Sequence, residues 1–124
     1  MTAGETKRLF LTTPLGEATI CARCGACNAV CCTHQEQDWE STSPRGWLTI
    51  LRSLSDGSGR IAGIPQGFVE RVFNCTTCGK CGQACPVHID LRRLWLGLRE
   101  EIVGRGRGPA FVDQVKEVVA QEHN

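Results

Sequence analysis

Two stretches decide how this chain folds: Cys21-Ala22-Arg23-Cys24-Gly25-Ala26-Cys27-Asn28-Ala29-Val30-Cys31 and Cys75-Thr76-Thr77-Cys78-Gly79-Lys80-Cys81-Gly82-Gln83-Ala84-Cys85-Pro86. Both run C-x2-C-x2-C-x3-C, so the chain carries an internal repeat, and Cys32 stands directly after the first copy. Nine cysteines in 124 residues is several times ordinary usage. The count is odd, so disulfide pairing would leave one thiol over. The first twenty residues hold Glu5, Lys7, Arg8 and Glu17 and lack the apolar stretch of a secretion signal. That predicts a cytoplasmic protein, where thiols are kept reduced. A reduced, cysteine-dense chain points to metal.

Spacings of two, two and three residues suit a cubane iron–sulfur cluster. Three cysteines on one tight loop wrap three corners of the cube, and the fourth lies just beyond their reach. Where two such runs occur together, the fourth cysteine ligates the other cluster. The expected ligands are then Cys21, Cys24, Cys27 and Cys85 for the first [4Fe–4S] cluster, and Cys75, Cys78, Cys81 and Cys31 for the second. Structural zinc prefers two separated cysteine pairs around one tetrahedral ion, which is not this pattern. A zinc-stabilised interaction module is nevertheless the alternative from a different functional class. Cys32 is either a free thiol of structural character or a possible extra ligand, replacing Cys31 or offering an alternative to it. Gly25, Ala26, Gly79, Gly82 and Ala84 keep the loops small, letting backbone N–H groups approach the sulfurs. Arg23 and Lys80 lie inside the loops and read as solvated charges. His34 and His88 read as surface or packing residues.

Outward from the cysteines the pattern is helical. Pro14-Leu15-Gly16 reads as a turn. Ser43-Pro44 reads as a helix start, with serine at the cap and proline in the first turn. Trp47, Ile50, Leu51 and Leu54 then recur on one helical face. Asp56-Gly57-Ser58-Gly59 reads as the loop that ends it. Phe68, Val69, Val72 and Phe73 give a second stripe, leading into Cys75. Leu91, Leu94, Trp95, Leu98 and Ile102 give the cleanest stripe, with Trp47 and Trp95 as packing residues. After a breaker from Gly104 to Pro109, Phe111, Val112, Val115, Val118 and Val119 mark a last short helix. No segment alternates with period two. The expectation is an all-α, α-helical ferredoxin-like fold, with two cysteine loops joined by a helical insert. Residues 1–124 form one two-cluster domain, with a lead-in over 1–20 and a C-terminal helix and tail over 104–124.

Fourteen Lys+Arg against thirteen Asp+Glu leave a formal charge of +1, which gives no basic face for nucleic acid. Arg92, Arg93, Arg99, Arg105 and Arg107 alternate with Glu100 and Glu101 and read as a solvated face or docking rim. No apolar run is long enough to span a membrane. No nucleophile motif, phosphate loop or dinucleotide fingerprint is present. With four protein ligands per cluster no iron is left open to substrate, so no catalytic residue is expected. The residues support moving electrons, not making or breaking bonds.

The stretch from Cys21 to Pro86 resembles the α-helical ferredoxins, whose two motifs are separated by a helical insert such as Thr33 to Asn74. It is most similar to the C subunit of heterodisulfide reductase. It also resembles the iron–sulfur subunits of glycolate oxidase, lactate-utilisation and anaerobic glycerol-3-phosphate dehydrogenase systems. The likeness rests on Cys21-Ala22-Arg23-Cys24-Gly25-Ala26-Cys27, on Ser43-Pro44-Arg45-Gly46, and on Cys75 through Pro86. Cys32 departs from it, standing where the family has proline. Larger relatives also carry cysteine-rich domains that 124 residues do not accommodate. The resemblance therefore implies a relay between a flavin-bearing subunit and a cysteine-rich or other catalytic subunit. Alternatively, it implies a relay in a flavin-dependent 2-hydroxyacid or glycerol-3-phosphate dehydrogenase.

Overall fold

The computed structural model describes residues 14–56 and 64–122. Among these residues every regular element is helical, as the lack of period-two alternation predicts. In chain order they are α1 (Pro14–Thr19), α2 (Ala26–Val30), α3 (Cys32–Gln37), a 3-10 turn (Glu40–Thr42), α4 (Pro44–Asp56), α5 (Gln66–Phe73), α6 (Lys80–Ala84), α7 (Leu91–Gly104) and α8 (Ala110–Glu122). The lead-in before Pro14, the side chain of Leu54 and the loop expected from Gly57 onward lie outside the described residues.

The core forms where the stripes predict it. Trp47, Leu48 and Leu51 of α4 meet Phe68, Val69 and Val72 of α5 and the whole Leu91–Ile102 stripe of α7, all buried. Burying an aliphatic or aromatic side chain of this kind contributes about 1.5–3 kcal/mol. The Trp47 and Trp95 rings pack edge to face at 5.0 Å and 86°, an arrangement favoured by the ring quadrupoles. Asp90 caps α7 by accepting a hydrogen bond from the Arg93 N–H at 3.2 Å.

Ser43 caps α4 as expected. Its hydroxyl accepts from the Gly46 N–H at 3.0 Å and donates to the Glu40 carbonyl at 2.6 Å. Gly46 lies so close to that carbonyl that any Cβ there would run into its oxygen. The Ser-Pro-Arg-Gly tetrapeptide is thus a cap, a helix start and a close backbone crossing in one.

Two expectations are corrected, and the last helix shows something the sequence left open. Pro14-Leu15-Gly16 is not a turn but the first turn of α1, where proline loses no needed N–H; Ala18, fully buried, seats this helix on α4 and α7. The last helix forms, but its stripe is not core: Phe111, Val115, Val118 and Val119 are all more than half exposed. Phe111 makes an edge contact with Phe73 at 6.1 Å. The basic C-terminal region is not uniformly a solvated rim either. The Arg99 guanidinium donates to the Val72 carbonyl at 2.8 Å and the Cys75 carbonyl at 2.6 Å, and lies over the Phe73 ring. Arg107 donates to the Ile64 carbonyl at 2.5 Å. Arg99 adds a charged donor at the C-terminal end of α5, where carbonyls run out of intrahelical partners.

Candidate metal centres

The two cysteine runs fold alike. Arg23 and Thr77, equivalent positions of the repeat, both adopt φ 58°, and Gly25 and Gly79 both adopt φ 80°. A left-handed residue followed by a left-handed glycine turns the chain back around its own sulfurs, and glycine alone enters that region without cost. Each glycine starts a five-residue helix, α2 or α6, and each helix ends at an extended cysteine, Cys31 or Cys85. The backbone N–H of Arg23 points at Cys21 Sγ at 3.4 Å, and that of Thr77 at Cys75 Sγ at 3.3 Å. α2 and α6 pack against each other.

That packing crosses the two halves. One cavity is lined by Cys21, Cys24, Cys27 and, from the other run, Cys85, with Arg23, Gly25, Arg45, Leu48 and Leu91. The second is lined by Cys75, Cys78, Cys81 and, from the first run, Cys31, with Cys32, Gly79, Trp47 and Trp95. A wider depression between Glu17 and α7 contains no cysteine and is lined by mixed charges, and its carboxylates do not converge as a metal ion requires.

Burial in these cavities bears on the thiols. Desolvation pushes Cys27 and Cys81 up to about 11, and also raises Cys75. Cys78, nearly exposed, moves the other way because the Lys80 backbone N–H donates to it. Binding a cation among these thiols therefore has to displace their protons.

The donor set fits iron–sulfur clusters. The first cavity gathers four thiols and the second four plus Cys32 at its rim, and neither lining contains a carboxylate or an imidazole. Among the described residues, no three Cys, His, Asp or Glu side chains converge on a point as a single ion requires. The sulfurs surround a space instead. Backbone N–H groups and arginines line it, the environment that favours an anionic group.

The surroundings of the two cavities differ. Beside the first, Arg45 Nε donates to Glu40 Oε1 at 2.7 Å and its Nη2 to Glu40 Oε2 at 3.1 Å. Asn28 accepts from the Arg45 backbone N–H at 3.2 Å and donates to Glu40 at 3.2 Å. The Glu40 carboxyl is held below its usual range chiefly by the Arg45 hydrogen bonds. Ser43-Pro44-Arg45-Gly46 thus fixes α4 against the first loop as well as starting the helix. Asn28, Glu40 and Trp95 are site residues that sequence reasoning missed or read as packing. Cys32 is exposed at the start of α3, on the rim of the second cavity, with its sulfur 3.7 Å from Thr76 Oγ1. His88 is exposed, and His34 Nδ1 contacts the Trp39 carbonyl at 3.1 Å; neither histidine lines a cysteine cavity.

An all-helical chain with two thiol-lined cavities built from a crossed repeat defines the class of helical iron–sulfur proteins. Residues 17–89 match the model of the 4Fe-4S dicluster domain, and the chain belongs to that family. It is 30% identical over 133 residues to the D subunit of dihydromethanophenazine:CoB–CoM heterodisulfide reductase from Methanosarcina mazei, covering 97% of this chain and 32% of that one. The corresponding D subunit from Methanosarcina acetivorans is 31% identical over 134 residues, with the same coverage. The glycolate oxidase iron-sulfur subunit of Escherichia coli is 29% identical over 83 residues, 67% of this chain and 19% of that protein. These heterodisulfide reductase relatives are D subunits, whereas the expectation named the C subunit first. This chain spans about a third of their length. No solved structure matches it. No helix among the described residues is long and apolar enough to cross a membrane.

Proposed function

We propose that this chain binds two [4Fe–4S] clusters and relays electrons within a cytoplasmic heterodisulfide-reductase-like complex, between a flavin-bearing subunit and a cysteine-rich or other catalytic subunit. The first cluster is held by Cys21, Cys24, Cys27 and Cys85, the second by Cys75, Cys78, Cys81 and Cys31. The observation that carries this is the crossing: each cavity draws three thiols from one run and its fourth from the other. Clusters of this kind, when bound, store and pass single electrons. The chain's own part is to supply four thiolates to each, to hold the loops with left-handed glycines, to exclude water with the Trp47–Trp95 core, and to aim N–H groups at sulfur. All four positions on each cluster are then taken by protein, so the substrate chemistry belongs to a partner.

The test is anaerobic purification from the native cell, with iron and sulfide analysis and identification of co-purifying proteins. A brown protein with about eight irons and eight acid-labile sulfides per chain, from two cubes, bound to a flavoprotein, supports the proposal. A colourless protein holding two zincs overturns it. The glycolate oxidase relatives favour one variant: a co-purifying flavin-dependent hydroxyacid dehydrogenase would make this its relay.

A further inference from the structure

The Trp95 indole is 1% exposed, and its Nε1–H makes no hydrogen bond of ordinary geometry to any protein atom. An unpaired buried donor costs about 1–3 kcal/mol. Its neighbour Trp47 is satisfied, since Trp47 Nε1 donates to the Ser41 carbonyl at 2.8 Å. Trp95 lines the second cavity together with Cys31, Cys75, Cys78 and Cys81. Of these thiols Cys81 is the buried one. The first cavity has no tryptophan.

We infer that the Trp95 indole N–H is the donor to the Cys81 sulfur of the second cluster, and that it sets that cluster's potential above what the same four thiolates would give alone. The inference rests on the ligand set proposed above. Its physics is that of any N–H directed at a ligand sulfur. Electron density on the sulfur grows when the site is reduced, and a fixed donor in a dry cavity stabilises the reduced state more than the oxidised one. Because the repeat makes the two loops nearly equal, an added donor on one side is a means of separating their potentials. Trp95 is a positioning and tuning residue, not a catalytic one.

The experiment is a potentiometric titration of the reconstituted full chain, followed by electron paramagnetic resonance. Wild type is compared with Trp95→Phe and with a chain carrying the benzothiophene isostere of tryptophan at position 95. That isostere keeps the bicyclic ring and removes only the N–H. In both variants, one of the two couples falls by about three- to tenfold in its one-electron reduction constant, tenfold being about 59 mV. The other couple stays in place. Should Trp95→Phe fail to fold for want of ring volume, the isostere decides alone. Two clusters with unmoved couples in the isostere chain overturn the inference and leave the ligation reading standing, and so do two couples that fall together. A wild-type chain that binds no cluster overturns the ligation reading, and this inference with it.

Discussion

Cys31 and Cys32 are adjacent thiols with different surroundings. Cys31 is half-buried at the end of α2, while Cys32 is exposed at the start of α3 beside Thr76. Replacing Cys32 by serine should leave iron content and both cluster signals unchanged, whereas Cys31→Ser should lose the second cluster. The reverse pattern would exchange their roles. Gly46 makes a second prediction at this scale. A methyl group there meets the Glu40 carbonyl, which is backbone and cannot swing away. Gly46→Ala should destabilise the fold by about 2–4 kcal/mol, read as a lowered thermal midpoint. Residue types and spacing sufficed to pick out the two runs whose cysteines line the cavities, because the repeat is written in adjacent positions. The same sequence could not show that Gly46 crosses a carbonyl six residues upstream, or that Trp95 lines the second cavity. A core tryptophan and a cavity tryptophan occupy the same register of a helical stripe.

Helices α5 and α7 meet at the second cysteine run, and Arg99 joins them. One guanidinium serves the carbonyls of Val72, at the last turn of α5, and Cys75, in the loop. Arg99→Ala should cost about 1–3 kcal/mol by removing the charged donor that both carbonyls share. Arg99→Lys should restore little of it, because an ammonium lacks the planar fork that spans both. Denaturant midpoints of the loaded chain measure both, and equal stability of the alanine variant and wild type would defeat the assignment. Periodicity marked α4, α5 and α7 well, since each must bury a face. It missed α1, where Pro-Leu-Gly has the chemistry of a turn and only packing of Ala18 makes it helical. It marked α8 too, but left open whether its apolar face is covered. An amphipathic pattern states that a face is apolar, not that this chain covers it, and Phe111, Val115, Val118 and Val119 remain open.

At the level of the whole molecule, two thiol-lined spaces lie inside the packing that joins α2 to α6. The apolar stripes are short, and under the proposed ligation metal ties the two loops together. Stripping the iron anaerobically with a chelator should abolish cooperative thermal unfolding, since binding and folding free energy are shared in small metal domains. A sharp transition in the metal-free chain, seen by calorimetry, would show that the helices suffice unaided.

The crossing of Cys31 and Cys85 also governs how the molecule is filled. Under the proposed ligation, neither half of the chain holds a complete set of four sulfurs, so the halves must meet before either space can be occupied. The first occupant brings the remaining four thiols together as a single intramolecular set, and its successor meets them at a high effective concentration. Loading is then a matter of all or none. At half the required iron and sulfide, half the molecules should carry two clusters and half none, with few carrying one.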